Sequence, residues 1–453
     1  MRSIDPTTGE TFATYPQTTA KEAAGHIRTA HHLQRAWGQT PLAHRCELAL
    51  RLADVLESRR EGLAILMARE MGKPVTQGRG EVDKCAWTCR YYADEAAAIL
   101  ADVPISADRT SSYVSYRPLG VILGIMPWNF PLWQVIRFLA PTLTSGNGVI
   151  LKHASNVTGC AIAIDEMVVE AGYPDGLFRT VVVPSSEVGA MISNPHIAAV
   201  TLTGSEEAGR AVASAAGLGI KKSVLELGGS DAAIVLEDAD LDLAVAACTT
   251  SRLLNGGQSC IAAKRFVVHE NVVDEFTSKL TEAFEGYRMS NPLDDDAQIG
   301  PMARIDLRDE LHEQVERSVA VGAVIVTGGS IPDGPGAFYP PTILTNVQPG
   351  MAAYHEEMFG PVASIITVAS EEEAIAVANS SKFGLGASVF TRDQARGERI
   401  ARDHIEAGSC FVNAFVASDP RLPFGGVKAS GYGRELSHQG MREFVNVKTV
   451  VVG

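Results

Sequence analysis

The stretch VILGIMPWNFPLWQVIRFLAPTLTSGNGVILK, running from Val121 to Lys152, decides how the chain folds. Val121–Met126 is a short apolar run closed by Pro127, which predicts a buried strand. Phe130-Pro131 then opens an apolar segment that reads as a helix over 131–143, with proline at its start where a missing N–H costs nothing. A glycine-asparagine turn follows, and GVILK (148–152) predicts a second strand. A strand, a helix and a strand of these lengths close as a right-handed βαβ unit with the two strands parallel.

The same alternation continues outward. TVVV (180–183), AAVTLT (198–203) and SVLEL (223–227) are further strands, with helices over 157–171 and 206–217 between them. Beyond residue 228 a second series begins: AAIVL (232–236), RFVVH (265–269), GAVIVTGG (322–329), VASIITV (362–368), SVFT (388–391) and SCFVN (409–413). Upstream, apolar spacing predicts helices over 20–37, 42–72 and 81–100. The segment 105–119 switches to alternation and predicts a strand pair outside the main core, and FVNVKTVVVG (444–453) reads as another edge element. The fold class is α/β, with two mainly parallel sheets and a cleft between two lobes.

Such sheets bind nucleotides at strand carboxyl ends. The GxGxxG fingerprint is absent: Gly217-Leu218-Gly219-Ile220-Lys221-Lys222 fails at its sixth position. Thr203-Gly204-Ser205 is the nearest substitute, a turn from strand into helix whose N–H groups and Ser205 hydroxyl suit a phosphate oxygen, or simply cap the helix.

Chemistry concentrates in KKSVLELGGSDAAIVLEDADLDLAVAACTTSRLLNGGQSCIAAKR, Lys221 to Arg265. Glu226 ends an apolar strand at Gly228-Gly229, where burial raises a carboxyl pKa towards that of a general base. Cys260 closes Asn255-Gly256-Gly257-Gln258-Ser259-Cys260, where glycines let backbone approach a substrate. Taken singly, Cys260 reads more readily as a small buried hydrophobe and Glu226 as a partner for Lys221 or Lys222. Together they form a nucleophile-and-base pair.

The chain's 453 residues, 46% hydrophobic, suffice for two or three domains. With 39 basic and 53 acidic residues the net charge is −14, which argues against nucleic-acid or anionic-membrane partners. No signal-peptide pattern or long apolar run is found, so a cytoplasmic protein is expected. The seven cysteines show no CxxC, and neither a disulfide framework nor a metal site is indicated.

Over nearly its whole length the chain resembles the aldehyde dehydrogenase superfamily. The resemblance rests on Pro127-Trp128-Asn129-Phe130-Pro131, Lys152, Thr203-Gly204-Ser205, Leu225-Glu226-Leu227-Gly228-Gly229, Gly257-Gln258-Ser259-Cys260, Glu357-Met358-Phe359-Gly360-Pro361 and Pro423-Phe424-Gly425-Gly426-Val427-Lys428. Within it, IMPWNFPLWQVIR, LKHASN and GYGRELSHQG are most similar to succinate-semialdehyde dehydrogenases of the short bacterial type. The resemblance implies Cys260 as nucleophile, Glu226 as the base that activates water, and Asn129 as an oxyanion-hole residue. It implies a cofactor site of Pro127, Trp128, Lys152, Ser155, Gly204, Ser205, Leu227, Glu357 and Phe359. It divides the chain into a dinucleotide-binding domain (1–104 and 120–227), a catalytic domain (228–430) and an oligomerisation element (105–119 and 431–453), and implies a homodimer or homotetramer.

Many NAD-preferring relatives carry an acid three residues after the lysine, but here Ser155 stands there, with Lys152 and His153 offering positive charge. NADP is favoured, with NAD as the alternative. Arg137 lies in an apolar helix and needs a partner, either a distant acid in the fold or an anionic substrate. Succinate-semialdehyde dehydrogenases resemble the chain at Arg137 and use it to hold the substrate carboxylate, and Ser418 and Arg421 are further candidates for that role. Leu254 replaces a second arginine found in several relatives, with Arg252 two positions earlier. The implied substrate is a small acidic aldehyde. A neutral aliphatic aldehyde, or a thiol hydrolase using the same Cys260 and Glu226, is the alternative.

Overall fold

The computed structural model describes residues 1–453. Its first half is built on a six-stranded sheet in the order Gly431–Tyr432, Lys222–Glu226, Ile197–Thr203, Val121–Met126, Gly148–His153, Phe178–Thr180. All neighbours are parallel except Gly431–Tyr432, which pairs antiparallel with Lys222–Glu226. The chain leaves Val121–Met126 in one direction and returns to its other side at Ile197–Thr203. That reversal is a topological switch point, where the carboxyl ends of two strands diverge and leave a crevice. Pro127-Trp128-Asn129 and Thr203-Gly204-Ser205 lie at its two lips.

The second sheet has seven strands, in the order Val324–Thr327, Thr342–Thr345, Val362–Val368, Ala263–His269, Asp231–Val235, Gly386–Phe390, Ser409–Val412. It is parallel except at the edge strand Val324–Thr327. Glu226 therefore ends a strand of the first sheet, while Cys260 precedes a strand of the second. The carboxyl edge of one sheet faces the amino edge of the other.

Helices Leu42–Ser58, Arg60–Met71, Val75–Ile99 and Trp133–Thr144 share the largest apolar core. The helix expected over 42–72 is two, broken at Arg59, whose φ of −97° and ψ of 6° leave the helical range. The strand expected at 180–183 stops at Thr180. Val182 instead pairs with the N-terminal segment, giving its N–H to the Thr18 hydroxyl and accepting the Thr18 N–H.

The outlying sheet is three-stranded. Ser111–Pro118 pairs antiparallel with Val445–Val452 on one side and with Val103–Pro104 on the other. The strand pair expected within 105–119 is thus a single strand, and its partner is the C-terminal element, read from sequence as unpaired. No helix is long and apolar enough to cross a membrane, and no group of three or more His, Cys, Asp or Glu side chains is arranged to hold a metal.

Candidate active site

Cys260 lies in the wall of a chamber of about 290 Å³. Two helices supply opposing stripes at helical spacing. Gln77, Gly80, Glu81 and Lys84 come from Val75–Ile99, and Phe130, Trp133, Gln134 and Arg137 come from the start of Trp133–Thr144 and the turn before it. Phe415, Val416, Ala417 and Ser418 close a third side.

The loop that presents Cys260 turns through three successive left-handed residues, Asn255, Gly256 and Gly257, at φ of 57°, 61° and 73°. A side chain at Gly257 would collide with the Gly360 carbonyl, so the Glu357–Pro361 motif packs directly on this loop. The Asn255 side-chain amide donates to the carbonyls of Asn129 (2.7 Å) and Gln258 (3.2 Å), tying the two motifs together. The buried Lys264 ammonium donates to the carbonyls of Ser259 (2.9 Å), Cys260 (2.9 Å) and Ala262 (3.2 Å), fixing the loop from beneath. Sequence reading missed Asn255, Gln258 and Lys264 as supports, although each lies within five residues of Cys260.

Asn129 is buried and gives one Nδ2 hydrogen to the Gln258 carbonyl at 3.0 Å, which leaves the second free. The Cys260 N–H has no acceptor within the chain. Two unused donors thus lie on the Cys260 loop and on the Asn129 side chain bound to it, and donors of this kind can stabilise a developing oxyanion. Cys260 is half-buried, and burial pushes its thiol pKa up to about 12, with Arg137 and Lys264 pulling against the rise.

Glu226 does not line this chamber. It ends its strand between Thr203 and Gly431, with Gly425 against its carboxylate, and neither carboxylate oxygen has a hydrogen-bond partner. Burial raises its pKa well above the carboxylate range, and the neighbouring Glu435 raises it further, while Arg137 opposes both. The glycines that follow bring the two motifs close, since a Cβ on Gly229 would stand 2.7 Å from the Cys260 carbonyl oxygen.

Arg137 has the distant acid that its burial demanded. It forms an ion pair with Glu435, both fully buried, and donates to the Thr203 hydroxyl at 3.1 Å. Lys73 is likewise paired with Glu81, which also accepts the N–H groups of Leu132 and Trp133 at 2.9 Å and fixes the start of their helix. Ser418 lines the chamber and accepts a hydrogen bond from Lys84 at 2.7 Å. Arg421 corrects the expectation: it is exposed, pairs with Asp419 at 2.6 Å, lies over Trp87, and does not reach the chamber. Arg252 is buried and holds the Gly257 carbonyl, while Leu254 lines the chamber.

The expected cofactor residues gather at the switch point. Trp128 and Phe359 meet edge to face with ring centroids 5.7 Å apart. Glu357 accepts the Gly229 N–H at 2.9 Å and lies 3.5 Å from Lys264. Lys152 is buried at the end of its strand without an ion-pair partner, and Ser155 is exposed beyond it. Ser205 caps the helix Glu206–Leu218 by accepting the Ala208 N–H, and Leu227 packs against Gly209 of that helix. An unpaired cation, a helix N-terminus and an aromatic pair in one crevice fit a dinucleotide. His153 is corrected. Its Nδ1 lies 2.9 Å from the Ala154 nitrogen and 3.1 Å from the Met126 carbonyl oxygen, and its Nε2 lies 2.8 Å from the Pro131 carbonyl oxygen. Burial lowers its pKa to about 4, and it supplies no charge.

A model of the aldehyde dehydrogenase family matches residues 1–450. The chain belongs to the aldehyde dehydrogenase family. This aldehyde dehydrogenase is 48% identical over 453 residues to a Mycobacterium tuberculosis protein named as an NADP(+) succinate-semialdehyde dehydrogenase, with 99% of each chain covered. It is 46% identical over 448 residues to Escherichia coli Sad, named as an NAD(P)+ succinate semialdehyde dehydrogenase, with 99% of this chain and 97% of that one covered. The crystal structure of the succinic semialdehyde dehydrogenase of Streptococcus pyogenes in complex with NADP+ superposes with a TM-score of 0.97 at 38% identity, over 100% of this chain and 99% of that one.

Proposed function

We propose that this aldehyde dehydrogenase oxidises succinate semialdehyde to succinate with NADP+. The observation that carries the reading is the Cys260 loop: a thiol in the wall of a chamber, with its own N–H and one N–H of Asn129 unused beside it. The choice of substrate and cofactor rests on the full-length likeness to relatives so named.

Cys260, once deprotonated, attacks the aldehyde carbon, and the carbonyl oxygen becomes an oxyanion held by the Cys260 N–H and the Asn129 amide. Removing one such donor typically costs about 10²–10³ in kcat. NADP+, when bound, supplies the two-electron oxidation by accepting hydride. Glu226 then takes a proton from the water that cleaves the Cys260 thioester. The balance is aldehyde, NADP+ and water giving carboxylate, NADPH and two protons. Trp128, Glu357 and Phe359 would hold the nicotinamide end of the cofactor, Pro127 and Leu227 would border it, and Lys152, Ser155, Gly204 and Ser205 would receive its adenosine and phosphate end.

The outlying sheet belongs to the same reading. Val445–Val452 is an open edge strand with Val447, Val451 and Val452 exposed, and pairing with a second copy in a homodimer or homotetramer covers it. Sedimentation at micromolar concentration tests this, and a monomer overturns it.

The decisive experiment is Cys260→Ala. NADPH formation from succinate semialdehyde is expected to cease while NADP+ still quenches tryptophan fluorescence. A variant with the parent's kcat overturns the assignment.

A further inference from the structure

Four arginines are buried in the fold: Arg45, Arg137, Arg252 and Arg265. Arg137 pairs with Glu435, Arg252 donates to the Gly257 carbonyl, and Arg265 donates to the carbonyls of Ser230, Val377 and Ala378. Arg45 has neither an acid nor a carbonyl. It is 8% exposed, and its Nε and Nη1 are shut off from solvent without an acceptor. A guanidinium in that state is costly unless negative charge reaches it from outside the chain.

Arg45 faces a pocket of about 260 Å³ that shares no residue with the Cys260 chamber or the cofactor crevice. The pocket lies between the start of the helix Leu42–Ser58 and the strand Ser111–Pro118, and no Asp or Glu lines it. Arg117, exposed and also without an ion-pair partner, enters from the strand. Arg442 lies 4.3 Å from the centre of the ring of Tyr116, a further wall residue. The helix opens here without a cap: Pro41 offers no side-chain acceptor, the first turn holds no acid, and the N–H groups of Leu42 and Ala43 have no partner. Burial lowers the Arg45 pKa and Arg117 lowers it further, against Cys46, so the two guanidiniums feel each other.

We propose that this pocket is an anion site for a phosphate group, held by Arg45, Arg117 and the first turn of Leu42–Ser58. Two guanidinium forks match the oxygens of a dianion, and free N–H groups at a helix start receive the same charge. The backbone is shaped around Arg45: Gly146 has φ of 98°, and a Cβ there would collide with Nη1. The volume leaves room for a small group attached to the phosphate, so free phosphate and a phosphomonoester share the chemistry.

The test is calorimetric titration of inorganic phosphate into the full-length enzyme at saturating NADP+, in a buffer without phosphate or sulfate, so that the cofactor's own phosphate positions are filled. One phosphate per subunit is expected, with a rise in the unfolding midpoint. Arg117→Ala should weaken binding by about tenfold or more while kcat stays at the parent value, and Arg45→Gln should abolish binding. Glycerol 3-phosphate separates the two sources: tighter binding than phosphate assigns the site to a phosphomonoester, and equal or weaker binding assigns it to free phosphate. An unmutated enzyme that binds no phosphate overturns the proposal, and so does succinate binding as tightly as phosphate. If Arg45→Gln does not fold, Arg117→Ala decides, and unchanged affinity in that variant overturns the site.

Discussion

Arg137 and Glu435, 298 positions apart in sequence, form an ion pair closed off from solvent at the point where the Cys260 chamber approaches the Glu226 carboxylate. Its two halves bear differently on the reacting groups: Arg137 lowers the pKa of the Cys260 thiol, whereas at Glu226 the rise due to Glu435 outweighs the pull of Arg137. Breaking such a pair from one side leaves a buried charge unmatched, at a cost of about 3–5 kcal/mol. Arg137→Leu should lose stability of that order in urea unfolding, and Arg137→Met combined with Glu435→Leu should recover most of it. Additive losses in the double variant would show that the pair is not coupled.

The Cys260 thiol, held near pKa 12 by burial, is almost wholly protonated in the cofactor-free protein. At pH 8 about one thiol in 10⁴ is ionised, and only the thiolate is nucleophilic. Alkylation of Cys260 by iodoacetamide, mapped by peptide mass, should climb about tenfold per pH unit between 8 and 11. A plateau below pH 9 would contradict this.

Glu226 has a pKa raised by burial and by Glu435, so its basic carboxylate form is reached at higher pH than for an ordinary carboxyl. The deacylation rate should increase with pH. Glu226→Gln should flatten that dependence and lower kcat by about 10²–10⁴. It should still give a burst of one NADPH per subunit, because only thioester hydrolysis is blocked. Steady turnover at the parent rate would remove Glu226 from the mechanism.

Ser155 is exposed just beyond the unpaired Lys152. Ser155→Glu places a like charge against a 2′-phosphate, and KM for NADP+ should rise by about tenfold or more while KM for NAD+ changes little. Equal effects on both cofactors would place the adenosine end elsewhere.

Much of this arrangement was legible in the sequence where the signal is local. The helix at 20–37 follows from apolar spacing and is fixed by the reciprocal capping of Thr19 and Glu22. The strand at 362–368 follows from its apolar run. Glu226 and Cys260 stood out because each adjoins glycines. Glu435 as the partner of Arg137 was not legible, because nothing near either residue specifies a pairing made by folding alone. Lys84 falls within the helix expected over 81–100 and was not singled out; the helix begins earlier, at Val75, and Gln77, Glu81 and Lys84 form a polar stripe at helical spacing that faces the chamber. The partner of Ser111–Pro118 was missed for the same reason as Glu435: the two strands are more than 300 residues apart.

The turn bearing Cys260 is built where backbone stacks on backbone: Gly257 lies under the Gly360 carbonyl and Gly229 under that of Cys260. Neither position can accept even a methyl group without displacing main chain, so this half of the pocket is closed to variation. Redesign of the substrate range must be written on the other walls, in the side chains of the two helical stripes and of residues 415–418. The machinery that breaks the aldehyde C–H bond is thereby insulated from whatever changes make one aldehyde preferred over another.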